Sequence, residues 1–153
     1  MVIEKVILLS LLPISELRGA IPIGIAAGMK PFSVFLTAVI ANSLVIPIVF
    51  FFLDTLHRHF YKIRYYQMLF DRYIESTRKK FEKHAGSKWE FAALCIFVAI
   101  PLPMTGAYTG TVVAWLFNLD RKKAYLSLAL GVLGAGIIVT LVSIGIKNIF
   151  NFF

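Results

Sequence analysis

Long apolar runs alternate with short polar breaks along this chain, and only one polar stretch is extended. The first apolar stretch, residues 6–28, is interrupted by Pro13, Glu16, Arg18, Gly19, Pro22 and Gly24. A simple membrane-crossing helix needs about 20 consecutive apolar residues. This stretch instead divides into two short arms around a polar, helix-breaking centre. Each arm of about ten residues, rising about 1.5 Å per residue, reaches about half of a hydrocarbon core roughly 30 Å thick. The pattern predicts a re-entrant helical hairpin or a broken helix, its turn built from Pro13, Gly19 and Pro22 near the bilayer midplane.

Residues 32–53 form an uninterrupted apolar run, entered from Lys30-Pro31 and left at Asp54, and they predict a transmembrane helix. Pro47 is tolerated there with a kink, and Asn42 is expected to face protein rather than lipid, where a helix–helix hydrogen bond would satisfy it. Residues 89–117 repeat the broken pattern of the first stretch. An apolar arm, 91–100, leads into Pro101, Pro103, Gly106 and Gly110, and a second arm covers 111–117. Two prolines and two glycines in ten residues predict a second re-entrant turn whose backbone groups need partners in protein or water. Residues 124–146 are a second uninterrupted span, its Gly131 to Ala135 spacing suits close packing, and its Gly131 to Gly136 face is the expected contact with a second copy.

The polar region 54–90 holds nine Lys and Arg against five acids, with Leu56, Phe60, Ile63, Phe70, Ile74 and Phe81 at spacings near the helical repeat. That pattern predicts amphipathic helices lying at a membrane interface. If residues 89–117 crossed the bilayer, this region and the cluster Arg121, Lys122 and Lys123 would lie on opposite sides. A re-entrant segment puts both inside, with twelve of the 16 basic residues cytoplasmic, as the positive-inside rule favours. Region 54–90 and residues 120–123 are therefore expected in the cytoplasm and both termini outside. Four full crossings are the rival arrangement and also leave the termini on one side.

The expected fold class is an all-α integral membrane protein made of two inverted repeats. Each is a re-entrant helical hairpin plus one transmembrane helix, and a cytoplasmic amphipathic helical region joins them. The single membrane domain, 1–153, divides into repeat one (1–53), linker (54–90) and repeat two (91–153). Inverted repeats with discontinuous helices meeting near the midplane recur among transporters. A short internal match agrees: Arg18-Gly19-Ala20-Ile21 aligns with Thr105-Gly106-Ala107-Tyr108, 87 residues later.

Composition sharpens the class. The chain is 59% hydrophobic and 16% charged, and its mean hydropathy is +0.80, values that suit a lipid-embedded domain. The net charge is +8, but the cations flank apolar segments, which suits anionic headgroups rather than nucleic acid. The start superficially resembles a signal peptide, yet Pro13, Glu16 and Arg18 break it, and it is expected to be retained. Cys95, the only cysteine, allows no internal disulfide. His57, His59 and His84 lack well-spaced carboxylate or cysteine partners, so no metal and no cofactor are expected.

Glu16 and Arg18 are the costliest residues to bury, at about 2.5–3.5 kcal/mol each at the bilayer centre, and should face a cavity or a partner. In an extended turn, residues two apart point the same way, so both would line one lumen. Glu16 can take and release a proton, and Arg18 can hold an anionic group or the Glu16 carboxylate. A permanent Glu16–Arg18 pair that only braces the turn is the plain alternative. The second turn adds the hydroxyls of Thr105, Tyr108 and Thr109, and its short-helix ends could present free amides to an anion. No nucleophile–base–acid set, zinc spacing or phosphate loop appears, so the chain is read as a non-enzyme.

The run Ile14-Ser15-Glu16-Leu17-Arg18-Gly19-Ala20-Ile21-Pro22, followed by Pro101-Leu102-Pro103-Met104-Thr105-Gly106-Ala107-Tyr108-Thr109-Gly110, resembles the two signature loops of the putative small multi-drug export protein family of bacteria and archaea. Family members often carry glycine where Met104 stands and tryptophan where Tyr108 stands. The resemblance implies export of small amphipathic compounds, and their own side-chain chemistry then puts Glu16, Arg18, Thr105, Tyr108 and Thr109 on the expected substrate or proton pathway. The architecture is also similar to DedA-type membrane proteins, which implies lipid flipping or scrambling as a second expectation. A structural or accessory membrane protein is the third. Two spans and two hairpins enclose little space, so a homo-oligomer, a dimer or larger, is expected in the lipid bilayer.

Overall fold

The computed structural model describes residues 2–60, 62–81, 89–102 and 105–152. The expectations for His84, Pro103 and Met104 fall outside the described residues. Everything described is helical or connecting turn. Helices α1 (Val2–Leu11) and α2 (Glu16–Ala26) form a hairpin, followed by the long α3 (Pro31–Phe51). A π turn, Phe52–Leu56, and the short α4 (His57–Phe60) lead to α5 (Arg64–Phe81). A second hairpin, α6 (Glu90–Ala99) and α7 (Ala107–Leu116), precedes the 32-residue α8 (Arg121–Phe152). The order short, short, long thus occurs twice.

Local chemistry sets these limits. Pro31 occupies the first position of α3, where its missing N–H costs nothing. Asn118 ends α7 in left-handed backbone, φ 51°, and Leu119 N–H returns to Ala114 O at 2.9 Å. Asp120 caps α8 by accepting from Lys123 N–H at 3.0 Å, so α8 begins three residues before the apolar run.

The two spans, Pro31–Thr55 and Arg121–Ile149, are long and apolar enough to cross a membrane. On α3 the stripe Val34, Ala38, Ala41, Val45 and Val49 is buried, while Phe32, Leu36, Ile40, Leu44 and Ile48 form an equally apolar exposed stripe. A helix apolar on every side, with one side uncovered, suits a lipid surround. Buried hydroxyls bond to their own helix, Ser10 to Val6 O and Ser143 to Val139 O, both at 2.7 Å.

Packing is reciprocal. Helix α2 packs on α3 and α8, and α7 packs on α8 and α3. Gly131 admits the α6 backbone, since a Cβ there would come within 2.8 Å of Cys95 O. Gly136 takes Val39 and Phe35 of α3. The small-residue face of α8 is thus filled from within the chain, which removes it as a surface for a second copy.

Two ends can be told apart. At one, Asp54 Oδ1 accepts from Trp115 Nε1 at 3.0 Å and pairs with Arg121 at 2.7 Å, tying the exit of α3 to the end of α7 and the start of α8. Arg121 also sits 4.2 Å from the Phe50 ring centroid, and Lys123 lies 5.5 Å from that of Phe91. At the other end, Lys147 Nζ donates to Ile25 O at 3.1 Å.

Candidate functional site

The two hairpin turns meet halfway along both long helices. Glu16, Leu17 and Arg18 converge there with Gly106 and Ala107, against Asn42 of α3 and Val132 and Ala135 of α8. Asn42 is near the centre of Pro31–Phe51, so the crossing lies near mid-height of that span.

Glu16 opens α2 with φ 47°, a left-handed conformation that a non-glycine residue adopts at some cost. It is only 6% exposed. Its carboxylate accepts the Tyr108 N–H at 3.3 Å in the first turn of α7. An anion is stabilised there by free amides and by the helix dipole. Those amides are therefore occupied by the chain's own carboxylate instead of being open to a ligand. The same carboxylate lies against Gly106 where any side chain would stand.

Arg18 goes to the other side of the same turn. Its guanidinium donates to the carbonyls of Leu102 and Thr105 and, at 3.1 Å, to Thr105 Oγ1. Thr105 Oγ1 in turn lies 2.9 Å from Ile100 O and 2.8 Å from Leu102 O. Among the described residues no ion pair joins Glu16 to Arg18. The expected extended turn does not hold here, because both residues start a helix, where two positions are about 200° apart. The acid therefore serves the amide end of the second hairpin and the base serves its carbonyl turn.

The remaining expected residues divide. Pro13 is in the first turn, residues 12–15, and Ile14 beside it is 99% exposed. Gly19 and Pro22 stand inside α2 rather than in the turn, since a proline removes only one helical hydrogen bond and membrane helices accept that loss. Pro101 belongs to the second turn, while Tyr108, Thr109 and Gly110 belong to α7. Tyr108 Oη donates back to Leu11 O in the first hairpin. Thr109 Oγ1 lies 2.6 Å from Tyr73 Oη on α5. Asn42 is 1% exposed and its Oδ1 has no hydrogen-bond partner, so the expected helix–helix bond through that oxygen is not made.

A cavity of about 690 Å³ begins beside Arg18 and runs between α2 and α8. The sequence pattern marks Asp54 only as the end of an apolar run and gives Lys147 no role, because the partners of both come from helices far away in the chain. Among the described residues no group of three His, Cys, Asp or Glu side chains could hold a metal ion.

Two long apolar helices flanked by packed short ones define an all-α, multi-pass membrane protein. Residues 16–138 match the family described as "Putative small multi-drug export protein", and the chain belongs to that family. No curated protein and no solved structure matches the chain.

Proposed function

We propose that this chain is a small-molecule exporter, a secondary transporter whose gate is the crossing of its two hairpins. The observation that carries this reading is the Glu16 carboxylate, buried in left-handed backbone and spent on the first turn of α7 at mid-span. A buried ionisable group at that depth is costly and is functional by default. The family's export role agrees with it.

In this reading both hairpins are re-entrant arms of inverted repeats 1–53 and 91–153, and 54–90 is cytoplasmic. Arg18 and Thr105, equivalent at the 87-residue offset, touch each other, which agrees with their lying near a pseudo-twofold axis between the repeats. The Asp54–Arg121 pair favours one side for both basic regions. The cavity between α2 and α8 is open beside Pro22, while Thr109, the equivalent of Pro22, is covered by Tyr73. One route is thus open and its counterpart closed, as alternating access demands.

Protonation of Glu16 removes the charge that holds the α7 amides. The neutral acid then needs an acceptor, and the unpaired Asn42 Oδ1 borders the same seam. The hairpins separate and the covered route opens. Replacing Glu16 with Gln and measuring substrate flux into liposomes under a proton gradient tests this step. Loss of the gradient dependence is expected, and unchanged coupling would exclude Glu16 as the carrier.

A second reading, a DedA-like lipid flippase or scramblase, is favoured by the sideways opening of the cavity, where Val142 and Ile146 are exposed. Transfer of headgroup-labelled lipid between leaflets would separate it from export. In either reading a homo-oligomer is the proposed cover for the first turn, on the strength of the exposed Leu12 and Ile14.

A further inference from the structure

The α2–α8 cavity has a chemistry of its own. Its walls are apolar, from Pro22 on one side to Ile138, Val142 and Ile146 on the other, and both polar ends are cationic: Arg18 at the crossing and Lys147 at the far end. Among the described residues no carboxylate lines it. Its volume of about 690 Å³ falls within the roughly 300–1,000 Å³ usual for small-molecule sites. Arg18 and Ile25, whose carbonyl holds Lys147, are seven residues apart on α2, so the apolar wall between the cations is about 10 Å long.

The cations differ in what they have left to give. The terminal nitrogens of Arg18 are committed to carbonyls of the second hairpin, and its Nε is buried without a partner. Lys147 donates once, to Ile25 O, and an ammonium has three N–H groups. It is exposed at the end of the cavity, where a headgroup can reach it. The single hydroxyl of the lining, Ser143, already donates to Val139 O.

We propose that this cavity is a binding site for an amphipathic carboxylate, the acid held by Lys147 and the apolar body lying along the groove toward Arg18. The proposal rests on the exporter reading in treating the cavity as the substrate's seat, and it narrows the substrate class. A compact monoanion suits the few donors available. Amphipathic cations are disfavoured, because they would meet a like charge at either end of an apolar groove.

The test uses two probes with one dansyl-alkyl body, ending in a carboxylate or in a trimethylammonium group. They are titrated against the full chain in phosphatidylcholine nanodiscs, with empty discs as the baseline. The carboxylate should bind about tenfold or more tightly than the cation. Lys147→Gln should remove that preference and Lys147→Arg retain it, while Val142→Trp, which fills the groove, should weaken both probes. Equal or stronger binding of the cation, carboxylate binding unchanged in Lys147→Gln, or no signal above empty discs overturns the proposal. Anion preference without any flux would bring down the exporter reading alone, and flux of cations without anion preference would bring down this inference alone.

Discussion

Arg18 and Thr105 are 87 residues apart, and the guanidinium of one grips both the carbonyl and the hydroxyl of the other. They are also the leading positions of the short internal sequence match, so equivalent points of the two halves are in direct contact. In the proposed inverted-repeat arrangement such a contact lies on the line that relates the two halves. It makes the crossing a shared joint, with each hairpin supplying what the other's broken backbone lacks.

Breaking that joint has an expected cost. Arg18→Ala leaves the carbonyls of Leu102 and Thr105 without their charged donor. A hydrogen bond to a charged group contributes about 1.5–3 kcal/mol, and more than one is lost together. Unfolding in mixed micelles should show a loss of at least about 2 kcal/mol. Glu16→Gln keeps an acceptor for the Tyr108 amide and should lose less. A smaller effect for Arg18→Ala than for Glu16→Gln would remove the arginine from its bracing role.

Gly106 and Gly145 form a matched pair of probes. A methyl group on Gly106 enters the space of the Glu16 carboxylate, whereas nothing lies within 4 Å of one on Gly145. Gly106→Ala should therefore destabilise by about 1–3 kcal/mol, the cost of overpacking. Gly145→Ala, inside α8, should be neutral or stabilise by up to about 1 kcal/mol through helix propensity alone. The difference between the two, read by the same unfolding assay, checks the fit of Glu16 against the second turn.

How far the chain could be read without its structure depends on the range of the signal. The unbroken runs 32–53 and 124–146 lie within α3 with its π turn and within α8, because apolar content over a span is a local property. The hairpins were also foreseeable from Pro13 and from the cluster around Pro101. The assignment of Gly19 and Pro22 to a turn fails because propensity measured in water overstates the damage such residues do to a membrane helix. Glu16 and Arg18 stand out by cost alone, but the partners of each come from residues 102–108, and nothing local encodes that choice. The Tyr73 cover on Thr109 and the Asp54 clamp on Arg121 are invisible for the same reason.

Asn42 separates stability from function. Its unpaired Oδ1 costs about 1–3 kcal/mol in a buried setting. Asn42→Leu replaces it with a side chain of similar size and should unfold at the same denaturant level or higher. If Oδ1 accepts a hydrogen bond from the O–H of neutral Glu16, the same variant should lose proton-driven flux. Lower stability with intact flux would show that the oxygen has a structural partner and no part in coupling.

His57 offers a pH test outside the spans. Its ring lies 4.3 Å from Phe70 and 5.4 Å from Trp115. Burial holds its pKa below the ordinary 6.5, and Asp71 opposes that shift. The folded state thus prefers the neutral ring, so this group's contribution is present above 6.5 and is lost as pH falls toward the lower folded value. In a histidine-labelled sample, the resonance lost in His57→Gln should titrate below 6.5, and Asp71→Asn should move it further down. A midpoint at or above 6.5 would place the ring in water.

Sidedness decides the architecture. Asp54 and Arg121 are joined at 2.7 Å, so the residues beside them, Thr55 and Lys122, emerge at one end of the molecule, while Lys30, just before the first span, and Asn148, next to the last residue of the second, stand at the other ends of the same two spans. With Cys95 replaced by Ser, single cysteines at 55 and 122 should react with a membrane-impermeant maleimide only from the cytoplasmic face. Cysteines at 30 and 148 should react only from the opposite face. Residues 89–117 then leave and return on one side, and the basic residues of 54–90 and 120–123 share a compartment, as charge bias favours. Labelling of 55 and 122 from opposite faces would require those residues to cross the bilayer. Glu16 could not then meet the first turn of α7 at mid-span, and the gate would lose its geometry.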